Sequence, residues 1–204
     1  VFPQEQWQNN PIQLQVLWDL HSSKLEIFYR SNEDIWYCPK WDDELTEFAL
    51  SWFAGTAQIN EVKSLLLHAQ AQSQVLFVPN CWLSGDPNPT NWRVRENGEL
   101  VMIDWERFCQ GSPAIDLAIA MPNLGTQDLT LETAIARNYR RLWSDINEDI
   151  FSSDVELALQ IRLGKIWTVV EFIANAAQDE DNHYPKKTVE YIVRELPDFL
   201  RILP

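Results

Sequence analysis

The sequence predicts a mainly helical α+β domain with a single β-hairpin near its middle, at about residues 91–104. Three observations predict it. Apolar residues recur at helical spacing along most of the chain. Capping residues and prolines punctuate those stretches where helices begin and end. One Asn-Gly pair, Asn97-Gly98, sits between two apolar runs, which is the strongest short-range hairpin signal.

The first helix opens at Asn10, a cap, with Pro11 in its first turn, and Ile12, Val16, Leu17 and Leu20 give it an inward face as far as His21. Residues 24–38 differ: "KLEIFY" and "DIWYC" flank a turn-like "RSNE" and read as two short strands. From Asp42, the spacing Leu45, Phe48, Ala49, Trp52, Phe53 is helical, and Gly55 ends it. Asn60 opens a third helix with Val62, Leu65, Leu66 and Ala69 inward. Beyond the hairpin, one helix begins near Thr126 or Thr130 and runs to about Trp143. The next starts at Ser153 with Glu156 three residues on, a capping box, and extends to about Gln178. The last begins at Pro185, with Pro197 expected to kink or interrupt it.

A chain of 204 residues suffices for one sizeable domain, and 46% hydrophobic with 12% aromatic residues is the composition of a packed protein. Most of its ten tryptophans are expected half-buried in the core, with some lining a pocket. The net charge of −14 argues against nucleic acid and against anionic membrane surfaces, both of which select clustered Lys and Arg. An acidic surface suits a cationic partner, although plain solubility is the commoner cause of such a charge. Three cysteines without CxxC spacing and three scattered histidines indicate neither a disulfide framework nor a zinc site. No apolar run reaches membrane-spanning length and no secretory pattern opens the chain, so a reduced, cytoplasmic setting is expected. The first residue is Val1 rather than Met, so further residues are expected upstream.

The chemistry concentrates in "LSGDPNPTNWRVRENGELVMIDWERF", Leu83 to Phe108. If Asn97 and Gly98 form a two-residue type I′ loop, Val94 faces Val101, Trp92 faces Ile103, and the register continues to put Asn91 opposite Asp104. Directly opposed side chains have Cβ atoms roughly 4.5–5.5 Å apart, so an amide oxygen and a carboxylate would converge there. Mg²⁺ takes one or two such oxygens plus substrate phosphates. Asp86 lies in a Gly/Pro-rich loop able to return a second carboxylate to the same place. Asn and Asp also end strands simply because they favour turns. What separates the readings is the whole pattern. Asp86, four residues, Asn91, then an apolar-Asp strand end at Asp104 has the offsets of a kinase-type catalytic loop. In that template the loop Asp accepts the proton of the attacking hydroxyl, and the Asn and later Asp hold Mg²⁺ on the nucleotide.

With these residues in view, "SGDPNPTNWRV…LVMIDWERFCQGSPAIDLA" resembles the aminoglycoside phosphotransferase and choline/thiamine kinase superfamily, which has a kinase-like fold. The resemblance is close over about Cys81 to Pro122, and "LQVLWDLHSS" is similar to the helix that opens the family's larger lobe. It implies Asp86 as catalytic base, Asn91 and Asp104 as Mg²⁺ ligands at the nucleotide, and Asp116 as a brace for the catalytic loop. Read locally, Asp116 is equally the cap of a helix beginning at Leu117. Glu106, two residues past Asp104, is expected to face the substrate, or else to be a solvated loop charge. Where the family usually carries His in the loop scaffold, this chain has Ser84. No Gly-rich phosphate loop and no V-A-I-K strand is found, so the chain reads as the larger, C-terminal lobe alone, over residues 1–204, without the nucleotide-clamping lobe.

The resemblance implies an ATP- and Mg²⁺-dependent phosphotransferase (GTP being the alternative nucleotide) acting on a hydroxyl of a small, often cationic metabolite. Without a clamp lobe the isolated chain is expected to be inactive. Trp167 and Glu171, one helical turn apart, are the aromatic and carboxylate expected to attract such a cation, though Trp167 fits a core position as well. The acidic run Asp179-Glu180-Asp181 is a second attraction for a cation, or a solvated helix end. The rival reading is a degenerate kinase-like module that binds a ligand or protein without turnover.

Overall fold

A 25-residue helix, α6 (Asp154–Gln178), is the axis on which the other elements assemble. The structure is a computed structural model and describes residues 10–24, 37–121, 128–144, 150–181 and 183–203. Helix α6 is buried on nearly every side from Leu157 to Val170, as a helix apolar around its circumference must be. It packs against α2 (Asp43–Ser51), α3 (Ile59–Ser73), α4 (Ala114–Ile119), α5 (Leu129–Ser144) and α7 (Lys186–Leu200), while α1 (Pro11–His21) lies on α5. At Gly164 the approach is tight. A Cβ there would stand 2.9 Å from Ala118 Cβ and 3.0 Å from the Ala114 carbonyl, so a glycine lets α4 and α6 touch.

The helix starts follow their caps. Asn10 Oδ1 accepts from Ile12 N (2.9 Å), Asp42 Oδ1 from Leu45 N (3.0 Å) and Ser153 Oγ from Glu156 N (3.1 Å). Glu156 reaches back one residue further than a capping box requires, taking the Ser152 N–H at 2.7 Å. The Ser152 hydroxyl, followed by that N–H, holds its carboxyl below the usual range. Three expectations need correction. Helix α1 buries Leu14, Leu17 and His21 with Gln13, whereas Ile12 is exposed, because the buried stripe repeats every three to four residues. Helix α3 begins at Ile59, without a side-chain cap, so Asn60 lies inside it. Helix α7 runs through Pro197 to Leu200 and is not interrupted. The strands expected within 24–38 lie almost wholly outside the described residues, as does Thr126.

Two small antiparallel sheets serve the site. Strands β1 (Cys81–Leu83) and β4 (Cys109–Gly111) pair with Leu83 opposite Cys109, a ladder the sequence reading missed. Strands β2 (Trp92–Val94) and β3 (Leu100–Met102) form the expected hairpin in a different register: Trp92 faces Met102, Arg93 faces Val101 and Val94 faces Leu100. Asn97 lacks the positive φ that a type I′ turn needs, and only Gly98 has it, at +86°. The loop therefore holds three residues, Glu96 to Gly98. Arg95 O accepts from Gly98 N and Arg95 N donates to Glu99 O, each at 2.9 Å, a type I turn closed by a left-handed glycine. The one-residue slip reverses which β3 side chains point inward. Leu100 and Met102 join Trp92 in the core, and Ile103 and Val94 are exposed. Asn91 accordingly opposes Ile103, whose N–H donates to Asn91 O at 2.8 Å, and not Asp104.

Candidate active site

Strand β1 delivers the chain into a loop at Ser84-Gly85-Asp86, and the loop is held from beneath. Asp116, third residue of α4 and fully buried, accepts from Ser84 N (2.8 Å, Oδ2) and Gly85 N (2.9 Å, Oδ1). Helix α4 starts at Ala114, so Asp116 is not a cap for it, and its carboxylate serves the loop. His21 lies 3.1 Å from Asp116 Oδ2 through Nε2 and 2.7 Å from Tyr139 Oη through Nδ1. A carboxylate only accepts, so Nε2 donates to Asp116, and in the neutral ring Nδ1 then accepts the Tyr139 O–H. Burial pushes the Tyr139 phenol well above its ordinary range, so it keeps the proton it donates. Helices α1, α4 and α5 are thereby tied to two backbone amides of one loop. Ser84, fully buried, adds only a 3.4 Å contact from Asp86 N to its Oγ.

Asp86 is half-buried and fastened by two amides: Asn88 Nδ2 donates to Oδ1 at 2.9 Å and Asn91 Nδ2 to Oδ2 at 3.1 Å. The same Asn91 Nδ2 donates to Asp86 O at 2.8 Å. Both donor directions of Asn91 are therefore spent on Asp86, and among the described residues its Oδ1 receives nothing nearer than Thr90 Oγ1 at 3.5 Å. Asn91 sits at the end of a one-turn 3₁₀ helix, Pro89–Asn91, with 7% exposure. Two residues of the expected trio are thus brought into contact.

Asp104 is exposed, has no hydrogen-bond partner among the described residues, and adopts φ +65°, the only positive φ of a non-glycine residue among them. That conformation costs on the order of 1 kcal/mol and gathers at functional sites. It turns the chain immediately after Ile103, the residue bonded to Asn91. Asn91 and Asp104 are therefore near neighbours through this link and not through strand pairing. Among the described residues no group of three or more His, Cys, Asp and Glu side chains is placed to hold a metal. A donor set of one free amide oxygen and one unengaged carboxylate nonetheless suits a hard cation that completes its shell with phosphate oxygens. Glu106 is exposed in the following turn.

The expected cation trap is not there. Trp167 is fully buried, donates its indole N–H to Lys40 O (2.9 Å) and packs edge-on against Phe77, so its ring offers no free face. Glu171 is already neutralised: Oε2 accepts from Arg107 Nη2 at 2.6 Å and Oε1 from Tyr37 Oη at 2.5 Å. Arg107 also lies over the Tyr37 ring, 4.3 Å from its centroid. Burial works against the Arg107 charge, but Glu171 and Tyr37 outweigh it and strengthen the cation. Burial and Glu171 together push the Tyr37 phenol far up. In the acidic run, Asp179 accepts from the backbone N–H of Asp181, His183 and Tyr184, which makes it a turn cap.

Burial, followed by the Asp116 charge, pushes the Cys81 and Cys109 thiols up to about 12. At pH 8 their thiolate fraction is on the order of 10⁻⁴, and the thiolate is the reactive form. Iodoacetamide is expected to label the exposed Cys38 of the folded protein and to spare the other two until denaturant is added, as read by peptide mass mapping.

Three contributors escaped the sequence reading. Asn88 had a signal, its place between two prolines. His21 had one too, since it continues the Leu14, Leu17 stripe of α1. Arg107 had none, its partners lying 70 and 64 residues away. Comparison with known proteins gives one positive finding: the model of the phosphotransferase enzyme family (APH) matches residues 30–148, more than half of the chain. No curated protein matches it. A family model that covers more than half of the chain shows that the chain belongs to the APH phosphotransferase enzyme family.

Proposed function

We propose that this protein transfers the terminal phosphoryl group of ATP, with Mg²⁺, to a hydroxyl of a small molecule, and that Asp86 is the residue that accepts the hydroxyl proton. The observation that carries the reading is the orientation of Asn91. Its donors face Asp86, so its side-chain oxygen faces away from that carboxylate, while its backbone carbonyl is bonded to Ile103, the residue before the unengaged Asp104. Asn91 Oδ1 and Asp104 would hold the metal, whose charge together with the nucleotide supplies phosphoryl donation and charge neutralisation. Asp86 keeps a free lone pair on each oxygen after binding its two amides, enough to orient an incoming O–H and take its proton as the new O–P bond forms. Asp116 keeps that carboxylate in place through the loop backbone. A cationic acceptor is not favoured by Trp167 and Glu171, which are engaged within the protein. Glu106 remains open to solvent next to Asp104 and is the carboxylate we assign to the acceptor side.

The test is a phosphoryl-transfer screen with radiolabelled ATP over alcohols, amino alcohols and sugars, using the full-length polypeptide. Asp86→Ala is expected to lower turnover on the order of 10²-fold, the usual contribution of a positioned proton acceptor, and Asp104→Ala to lower it as well, through loss of a proposed metal ligand. Unchanged transfer in both would discard the assignment. Nucleotide binding with no transfer to any acceptor would favour a binding module instead.

A further inference from the structure

We infer that Asn88 is a positioning residue for the proton-accepting carboxylate, fixing Asp86 by a side-chain hydrogen bond from a backbone that two prolines make rigid. The inference rests on the reading of Asp86 given above. Residues 86–91 read Asp-Pro-Asn-Pro-Thr-Asn. Each proline fixes its own φ, and Pro89 confines the residue before it to extended backbone. Asn88 has φ −63° and ψ 158°, inside that restricted region, so its Cα–Cβ direction is set locally at little cost.

The amide then works at both ends. Its Oδ1 accepts from Thr90 N at 2.8 Å and also from Thr90 Oγ1, capping the 3₁₀ turn that carries Asn91. Its Nδ2 donates to Asp86 Oδ1 at 2.9 Å. Trp92 Nε1 ties Pro87 O down at 2.9 Å, so the residue between the two functional side chains is anchored to the core as well. With Asn91 on the other oxygen, the plane of the Asp86 carboxylate is held at two points. If Asn88 let go, the carboxylate would swing about Asn91, and a misplacement of about 1 Å near the reacting atoms can cost on the order of 10²-fold in rate. Ser84, at the position where a larger scaffold side chain would brace the loop, gives Asp86 only the 3.4 Å contact to its backbone, which leaves orientation of the carboxylate to the two asparagines.

The two roles of Asn88 can be separated. Asn88→Asp keeps an oxygen for Thr90 N, since Asp and Asn cap equally well, but loses the donor and sets a second carboxylate beside Asp86. Asn88→Ser also keeps a cap, and its single hydroxyl proton, one bond nearer the backbone than the amide, is withdrawn from Asp86 Oδ1 without an added charge. Both are made in the full-length polypeptide, with Asp86→Asn as reference, and ADP release from Mg-ATP is followed with water as acceptor. Each is expected to lower kcat about 30-fold while KM for ATP stays within about threefold. The melting temperature should stay within about 2 °C. Side-chain amide NMR gives a readout free of turnover: the Asn88 Nδ2 protons should exchange slowly and shift on Asp86→Ala. A kcat of at least half the wild-type value in either variant, with Asp86→Asn inactive, would overturn the inference, as would an Asn88 amide that exchanges like an exposed one. Unchanged turnover in Asp86→Asn would overturn the reading of Asp86 itself.

Discussion

Gly85→Ala is expected to unfold at lower denaturant and to lose about 3 kcal/mol of stability, the largest effect of any single methyl group near the site. Two costs add. Gly85 has φ +77°, where an L side chain is strained by about 1–2 kcal/mol. A Cβ there would also stand 2.0 Å from the Arg107 carbonyl oxygen and 2.8 Å from its carbon. The obstacle is backbone, so no rotamer change relieves it. The loop carrying Asp86 and the segment after Asp104 would have to part, and Arg107 is fastened by Glu171 and Tyr37. Gly98→Ala is the control. Its φ is +86° but nothing lies within 4 Å of the added carbon, so only strain of about 1–2 kcal/mol is expected. Urea unfolding of the two variants, followed by circular dichroism, measures the difference, and equal losses would show that the Arg107 contact yields freely.

Glu132→Ala is expected to cost about 3–5 kcal/mol, because it strips the shared acceptor from two buried cations. Glu132 on α5 is fully buried. Its Oε2 accepts from Arg162 Nε at 3.1 Å and Nη2 at 2.8 Å, and its Oε1 from Lys165 Nζ at 3.2 Å. Arg162 and Lys165 lie on α6 with side chains 9% and 1% exposed, so water cannot replace the lost carboxylate without opening the α5–α6 contact. Removing one member of such a cluster leaves charge uncompensated, which costs far more than the intact cluster contributes. Glu132→Gln, which keeps one oxygen acceptor but no charge, is expected to fall between wild type and Ala. Denaturant unfolding checks the order of the three proteins. A loss below about 1 kcal/mol for Ala would mean that the cations reach solvent or other acceptors.

Much of the fold could be read because helix signals are local. A cap such as Asn10, Asp42 or Ser153 satisfies donors two or three residues away, and an apolar stripe repeats within a dozen, so neither requires knowledge of the rest of the chain. The pairing of β1 with β4 was not legible. Three-residue strands 26 residues apart carry no pattern that distinguishes them from loop. The hairpin was found and its register missed for one reason. Asn-Gly serves a two-residue and a three-residue loop alike, and the choice falls to which β3 face the core accepts. Trp92 is fully buried beside Leu100 and Met102, and that packing decided it.

The candidate site divides in the same way. The offsets of Asp86, Asn91 and Asp104 singled out a loop in which the structure joins Asp86 to Asn91, but the geometric route proposed for bringing Asn91 and Asp104 together did not hold. Asp104 reaches its place by a left-handed turn after Ile103. Trp167 and Glu171 are one turn apart on α6 as expected, yet Lys40 O, Tyr37 and Arg107 claim them, and spacing along a helix is blind to partners more than sixty residues away.

By itself, then, the sequence determined the helical class, the hairpin's location and the loop to which the proposal assigns the chemistry, all of which rest on contacts within a few residues. Only the tertiary structure decided register, the brace from Asp116 and His21, and which carboxylates are left unpaired. Those depend on burial and on charge partners distant in the chain, and desolvation makes such pairing strong enough to override local preference.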